Sequence, residues 1–438
     1  VNAFDDETPS TKKFLLEADK VTVNNGTYLL IDENSDNPKN IDYSKIFLIL
    51  NNFTILGPDI KTSIQKMSFL DHRGLFLRNL SGEYLYTKNT MSLTNIDLIT
   101  NNSLFMGDIV LKYKEGDFQN FTDKVHFDAK IKQASIATND IRYFSKEIGK
   151  DNFFSIKTRA TGPLNNLFFK DLYLTDSKKT QIVGNLNLKN LLGNINQHLY
   201  MKGDFKKIVS SYDNLTQLLP NLLGKKLQSS LQKIGQFVFK GKAEVSSTAI
   251  VTDFYMTTQI GNIKSNLKIN NIDNIDNASY KGNIVLEDFN LGYFLDRKDL
   301  EKTSLNLDVN GKGFKQKNLN TIFTGDVFKL RYNGYTYTKI ILDGKFKNQI
   351  FDGKAVINDP NLFLDFQGKI NFDKKDIDFD LEANIDYANL VNLKFVKKDT
   401  ISVIKGNAKL NVSGTSLDDL KGQIFLSNIS YQNPNNIY

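Results

Sequence analysis

Three histidines are the first residues to consider for chemistry, because imidazole serves as a general base and as a metal ligand near neutral pH. They are His72, His126 and His198, and no His-x-x-x-His or His-Glu-x-x-His pattern joins them. The chain has no cysteine, which excludes disulfides, thiolate metal sites and cysteine nucleophiles. We therefore expect neither a metal nor another cofactor, and we interpret the histidines as surface or sheet residues.

Paired carboxylates are the second candidate, since a glycosidase uses two of them facing one another across a polar cleft. Asp418 and Asp419 form such a pair in sequence, but the acidic residues of this chain fall in loops and on polar strand faces. Neither a Gly-x-x-x-x-Gly-Lys-Ser/Thr phosphate loop nor a Gly-x-Ser-x-Gly nucleophile elbow occurs. We predict that the protein is not an enzyme.

The charge pattern indicates a solvated face. The 438 residues carry a net charge of +7, and the basic residues are spread along the chain, mostly alternating with Asp and Asn. Nucleic-acid binders concentrate basic residues in a patch or an arm. We expect no nucleic-acid partner.

The elements that must position any site are strands, because apolar residues recur with period two. Leu362 to Phe372 and Phe379 to Tyr387 each alternate apolar or glycine positions with mostly polar ones. Asn333-Gly334 separates two such runs and is suited to a type I′ turn, so neighbouring strands should pair as antiparallel hairpins. One side of each strand is therefore apolar and the other polar.

Glycine recurs in register with the apolar side as Gly-x-apolar-x-apolar. It has two interpretations: a repeated bend that folds the sheet lengthwise into a trough, or simple bulges at strand ends. The instances are Gly184, Gly241, Gly282, Gly353, Gly368, Gly406 and Gly422.

One stretch departs from the strand pattern. Between Ile208 and Ile234 the leucines fall at helical spacing, with Pro220 in the middle and Gly235 as a possible C-terminal cap. The helices would pack against the sheet, or else would dock on a membrane surface or a partner. A shorter helical turn is expected near Leu291 to Leu300.

The fold class predicted is all-β with a small helical insertion: a long, twisted, mostly antiparallel sheet folded into a taco-like apolar groove. Residues 1–205 and 236–438 are repetitive β-groove segments, and residues 206–235 are the helical insertion. The chain starts and stops within its pattern, so we expect it to be a continuous fragment of a longer protein whose membrane anchor lies outside it. No apolar run approaches the ~20 residues that span a bilayer.

A long lane of apolar side chains fits a long apolar ligand. Burying one methylene is worth ~0.8 kcal/mol, so an acyl chain of about 16 carbons costs ~13 kcal/mol to bring into water. A continuous apolar groove removes that barrier. The candidate groove residues are Phe254, Met256, Ile284, Leu286, Leu305, Leu307, Leu342, Phe346, Leu362, Leu364, Phe366, Ile370, Phe372, Phe379, Leu381, Ile385, Leu410 and Ile424.

The second half of the chain, from about Phe237 to Tyr438, resembles the TamB proteins of Bacteroidota, which belong to the AsmA-like group. The segments that carry the resemblance are Phe254–Ile284, Leu307–Phe314, Leu330–Phe372 and Ile401–Ile424. Before Lys202 only the alternation persists. These are structural-repeat motifs, and none is a catalytic signature.

The resemblance implies an inner-membrane anchor followed by a β-sheet that crosses the periplasm. It implies phospholipid as the ligand and an outer-membrane barrel protein similar to TamA or BamA as the partner, through regions outside this chain. Three hypotheses follow: a segment that conducts phospholipids between the inner and outer membranes, a scaffold or chaperone for outer-membrane β-barrel proteins, and a closed solenoid or adhesin that fills its own core.

Overall fold

A computed structural model of the chain describes residues 13–31, 39–143, 149–190, 200–218, 229–274, 276–315, 318–372, 377–396, 400–414 and 421–438. His198 lies outside these ranges. The chain divides into two compact units, Val1–Leu227 (unit 1) and Gln228–Tyr438 (unit 2).

Unit 1 is an antiparallel sheet in which each strand pairs with the strands before and after it along the chain. Short connections between consecutive strands produce this order. The strands are β1 (Leu15–Ile31), β2 (Lys39–Leu56), β3 (Asp59–Asp71), β4 (Phe76–Tyr86), β5 (Thr90–Ile99), β6 (Leu104–Lys112), β7 (His126–Ala137), β8 (Phe153–Pro163), β9 (Asn166–Asp176), β10 (Gln181–Lys189) and β11 (Tyr200–Ser211).

Unit 2 has the same sequential antiparallel order. Its strands are β12 (Gln236–Val245), β13 (Ala249–Thr258), β14 (Gly261–Asn270), β15 (Ser279–Asn290), β16 (Leu300–Lys312), β17 (Asn320–Tyr332), β18 (Tyr335–Lys347), β19 (Ile350–Asp359), β20 (Leu362–Asn371), β21 (Ile377–Asn389), β22 (Val403–Gly414) and β23 (Lys421–Gln432).

Among the described residues, helices are few and short. They are α1 (Phe121–Lys124), α2 (Thr138–Ile141), α3 (Tyr212–Leu218) and α4 (Leu291–Leu295), with 3-10 turns at Asp117–Asn120 and Ser229–Ile234. Within the described ranges no helix has the length and apolarity needed to cross a membrane.

The all-β prediction is confirmed, because both units are antiparallel sheets and neither closes into a barrel. The turn prediction is confirmed too. Asn333 and Gly334 have φ angles of 46° and 76°, the left-handed pair that a type I′ turn requires, and β17 and β18 pair on either side of them.

The helical insertion needs a correction at its start. Residues 206–211 are strand, because β11 runs to Ser211 and its end pairs with β10. Helix α3 and the 3-10 turn Ser229–Ile234 then follow the predicted helical spacing, while residues 219–228 lie outside the described residues. The turn expected near Leu291 is the helix α4.

Candidate functional site: the apolar face of unit 2

Cross-strand partners in an antiparallel sheet point to the same side, and alternate residues along a strand return to that side. Following partners through unit 2 gives four adjacent rows. Row 1 is Phe239, Met256, Ile263, Leu286, Leu305, Val327, Ile340, Ile357, Leu364, Ile385 and Gly406. Row 2 is Gly241, Phe254, Ser265, Ile284, Leu307, Gly325, Leu342, Ala355, Phe366, Ala383, Ala408 and Leu426.

Two further rows continue towards the opposite strand ends. Row 3 is Ala243, Thr252, Leu267, Gly282, Val309, Phe323, Gly344, Gly353, Gly368, Leu381, Leu410 and Ile424. Row 4 is Val245, Ile250, Ile269, Tyr280, Gly311, Thr321, Phe346, Phe351, Ile370, Phe379, Val412 and Gly422. Rows 1 to 4 together are called the apolar face, and the other side of the sheet is called the polar face.

None of the positions in the four rows carries a charged side chain. The hydroxyls of Ser265, Thr252 and Thr321 donate to backbone carbonyl oxygens of the sheet, at 2.9, 3.4 and 3.3 Å respectively. These hydroxyls are thereby satisfied within the sheet, so the face offers a ligand little except dispersion and hydrophobic contact.

The apolar face is large enough for hydrocarbon chains. Neighbouring strands lie ~4.8 Å apart, so twelve strands extend the face by about 50 Å. Successive rows are two residues apart, so the four rows cover about 20 Å along the strands. A bilayer has a hydrocarbon core of about 30 Å, so one acyl chain in one leaflet occupies about 15 Å, which is less than the width of the face.

The apolar face is shielded but not sealed. Leu305, Val327 and Ile340 are buried at 8%, 5% and 5% exposure and form one cluster. Most other members of the rows are only half-buried, and towards the last strand exposure rises to 48% at Ile424 and 57% at Leu426. A sandwich core would bury both facing layers. A partly exposed apolar surface remains here.

The structure brings all eighteen predicted groove residues to this one face. Sixteen of them lie in rows 1 to 4. Leu362 precedes Leu364 by two residues on β20 and so has the same orientation, and it is buried against Ala388 and Leu393. Phe372, just past the end of β20, is 38% exposed, and its ring centroid lies 6.3 Å from that of Phe346 in row 4.

Glycines sit where the backbone of one strand crowds the next. At Gly282, with φ of 149°, a β-carbon would lie 1.9 Å from the carbonyl oxygen of Asn266. At Gly368, with φ of 155°, it would lie 2.3 Å from the carbonyl oxygen of Asp380. Neither pairing has a register shift at these glycines, so the bulge interpretation does not apply there and close approach of the neighbouring backbone is what requires glycine.

The bulge interpretation applies at other glycines. The pairing of β10 with β11 shifts between Val183 and Gly184, and the pairing of β22 with β23 shifts around Gly406. The recurrent glycine motif therefore serves two structural purposes in this sheet.

Turns along one rim of unit 2 reach over the first row. In the turn after β21, Leu393 is 3% exposed and packs with Leu362 and Ala388. The neighbouring β19–β20 turn is held by Asp359, which is 1% exposed and accepts hydrogen bonds from the Tyr335 hydroxyl and from the backbone amide of Thr338. The fixed turns define this side of the apolar face.

Burial and the Asp359 carboxylate also perturb Tyr335. Together they raise the pKa of Tyr335 to about 12, with burial as the larger cause. The phenol therefore stays neutral and keeps donating its hydrogen bond to the carboxylate throughout the physiological range.

Unit 1, which the sequence predicts as a β-groove segment but in which no candidate residue was named, also has apolar rows. Two rows lie on the same side of the sheet, because their members on β6, Phe105 and Ile109, are separated by an even number of positions along that strand. One is Val23, Leu48, Met67, Leu80, Leu98, Phe105, Ala134, Ile156, Leu174, Ile182 and Ile208. The other is Thr62, Tyr84, Leu93, Ile109, Ala129, Ala160, Phe169, Leu186 and Gly203.

Bulges explain why the alternation was hard to see in unit 1. Asn95 has a φ of 54° and lies at a register shift between Leu93 and Ile96. Its backbone amide donates to the Asp108 carboxylate at 2.8 Å. An asparagine inside an apolar run is the signal that would have located the shift, since Asn tolerates the left-handed conformation.

The polar face has the character of a solvated surface. Glu382 and Lys409 form an exposed ion pair at 2.8 Å on unit 2, and a depression across β19–β23 is lined mostly by such polar-face side chains. No group of three or more His, Cys, Asp or Glu residues suited to a metal ion occurs among the described residues.

The fold and the apolar face define the class: a repetitive antiparallel β-sheet protein whose second unit has an apolar side. Comparison of the chain with protein-family models, with curated proteins and with solved structures gives no match. The class therefore follows from the register and burial of its own residues.

Proposed function

We propose that the chain is a segment of a bridge-like lipid transfer protein whose apolar β-groove conducts phospholipids between the inner and outer membranes. The observation that carries the proposal is the set of four rows across the strands of unit 2, whose positions carry no charged side chain and are mostly half-buried. A lipid that slides along such rows exchanges one hydrophobic contact for an equal one, so no step requires its chains to enter water.

The resemblance to TamB proteins supports the same proposal and adds a setting. In that setting the segment lies in the periplasm, as part of an inner-membrane-anchored envelope protein. An outer-membrane partner similar to TamA or BamA would bind regions outside this chain. The proposed role involves no chemical step and no cofactor.

Lipid extraction from the purified chain tests the proposal. We expect native mass spectrometry to detect phospholipid that co-purifies with the chain and to show more than one lipid per chain, since the face is about 50 Å long. The chain purified from cells without any bound lipid, and unable to take up phospholipid from vesicles, would refute it.

A second candidate function is a scaffold or chaperone for outer-membrane β-barrel proteins, and one observation favours it. Strand β23 pairs with β22 on one side, and its last residues also pair with residues beyond it, Gln432 with Ile437 and Tyr431 with Tyr438. Earlier in the strand, Ile424, Phe425 and Leu426 are 48%, 61% and 57% exposed. An edge strand with exposed apolar side chains is suited to accept another strand. Binding of a peptide from a barrel protein to β23 by a chain that carries no lipid would favour this function over the first.

A further inference from the structure

Three glycines lie side by side on the apolar face. Gly344 on β18, Gly353 on β19 and Gly368 on β20 are consecutive partners in row 3. Phe323 and Leu381 occupy the same row on either side of them. The row therefore loses its side chains for three adjacent strands, about 10 Å at the usual strand spacing.

One aromatic ring from row 4 lies over this stretch. A β-carbon at Gly344 would lie 2.6 Å from Cε2 of Phe351, and one at Gly353 would lie 3.0 Å from Cζ of the same ring. The Phe351 ring therefore occupies the volume that side chains at these two glycines would fill.

Phe351 also links two other aromatic rings of the face. Its centroid is 6.1 Å from that of Phe323, with the planes 27° apart, and 6.4 Å from that of Phe366. Phe323 and Phe351 lie on strands that are not neighbours, and they meet because the intervening strand carries Gly344 at that position. The Phe351 side chain itself is half-buried, so part of it remains accessible from the apolar face.

We propose that Phe351 determines which hydrocarbon chains the apolar face of unit 2 accepts, an inference that rests on the proposed function. The ring leaves a surface on which a straight acyl chain can lie across β17–β20. A methyl-branched chain needs additional width, and over Gly344 and Gly353 the ring already occupies the space that the missing side chains leave. Phe351 thereby favours straight chains over branched ones.

A purely structural role makes a different prediction. Aromatic rings that cover glycines shield the backbone and stabilise a sheet. In that case replacement of Phe351 would lower the stability of unit 2 but would leave the relative binding of straight and branched chains unchanged.

The test compares two phosphatidylcholines, one with two palmitoyl chains and one with two phytanoyl chains, which have the same backbone length and carry methyl branches. The full chain is incubated with vesicles of either lipid and repurified, and bound lipid is counted by native mass spectrometry. We expect wild type to prefer palmitoyl chains by about tenfold, the discrimination typical of one methyl-sized misfit. Phe351→Ala should bring the ratio of bound palmitoyl lipid to bound phytanoyl lipid close to one.

Phe363→Ala is the matched control, because Phe363 lies on the polar face of β20 and is 40% exposed. It should keep the wild-type ratio. If circular dichroism shows that Phe351→Ala does not fold, Phe351→Leu takes its place. Its ratio of bound palmitoyl to bound phytanoyl lipid should lie between the wild-type ratio and a ratio of one.

The outcomes separate the two claims. Palmitoyl lipid bound by wild type together with an unchanged ratio in the folded Phe351 variants overturns the role of Phe351 alone. Wild-type chain that binds neither lipid overturns the proposed function, and the role of Phe351 with it.

Discussion

Replacing Leu364 with Asp places a carboxylate in row 1, where the wild-type side chain is half-buried between Ile357 on β19 and Ile385 on β21. The neighbouring residue Phe363 points to the polar face and is 40% exposed. Phe363→Asp therefore introduces the same charge one residue away, on the opposite side of the same strand, and serves as the control.

The expected loss of lipid affinity follows from the hydration of the new charge. A carboxylate keeps its water, so roughly four methylenes of a chain lying opposite it stay hydrated, which costs ~3 kcal/mol at ~0.8 kcal/mol each. This is about a hundredfold loss in affinity at that point of the face. Leu364 is half-buried, so its replacement removes buried apolar surface and lowers the free energy of unfolding by about 1–2 kcal/mol. We expect the sheet to stay folded after a loss of this size.

The assay measures the number of phospholipids bound per chain and the rate at which a fluorescent phospholipid passes between two vesicle populations. Leu364→Asp should bind fewer lipids and transfer them more slowly, whereas Phe363→Asp should match wild type in both. Circular dichroism and urea midpoints establish that both variants are folded. Equal binding and transfer by the two folded variants would refute the assignment of lipid to rows 1 to 4.

Three further predictions concern stability and titration. Gly282→Ala should lower the free energy of unfolding of unit 2 by about 2–4 kcal/mol, because its β-carbon would meet the carbonyl oxygen of Asn266; an unchanged urea midpoint would contradict this. Asp140 is buried, which acts to raise its pKa, but hydrogen bonds from Ser103 and other donors hold its pKa below the usual value. Its charge therefore stabilises unit 1 above about pH 4, and this stabilisation is lost as the pH falls through the folded-state pKa. Asp140→Asn should lower the urea unfolding midpoint at pH 7, and the difference in midpoint between the variant and wild type should shrink below about pH 4. A difference in midpoint that grows in acid would be inconsistent with this prediction. Tyr335 should ionise only near pH 12, so Tyr335→Phe should remove a late step from the phenolate absorbance titration of the folded chain, and removal of a step near pH 10 would be evidence against the buried hydrogen bond.

Much of the fold of unit 2 was predictable from its residues. Its strands alternate strictly, as in Phe254 to Met256 on β13 and Phe379 to Ile385 on β21, and a period of two leaves only one orientation that keeps apolar side chains together. Tight turns such as Asn333-Gly334 fixed the antiparallel order. Register followed from these local signals, and the eighteen predicted residues fell on one side.

The rest depended on interactions between strands that a single sequence does not display. A residue at positive φ, such as Asn95 in β5, moves the apolar pattern by one position without changing composition. For this reason the groove segment predicted in unit 1 could not be assigned residue by residue. The start of the helical insertion was misplaced because the strand pairing of Ile208 with Ile182 outweighs the helical spacing downstream. The position of the Phe351 ring was not predictable, because it depends on Gly344 of the neighbouring strand as well as on Gly353 of its own strand.

Photo-crosslinking tests the central claim most directly. A benzophenone amino acid at Leu307 faces the apolar side in row 2, and the same group at the adjacent Asp308 faces the polar side, where the wild-type residue is exposed. We expect phospholipid adducts on irradiation at Leu307 and few or none at Asp308. Equal adducts at both positions, or none at Leu307 in a folded chain, would contradict the account.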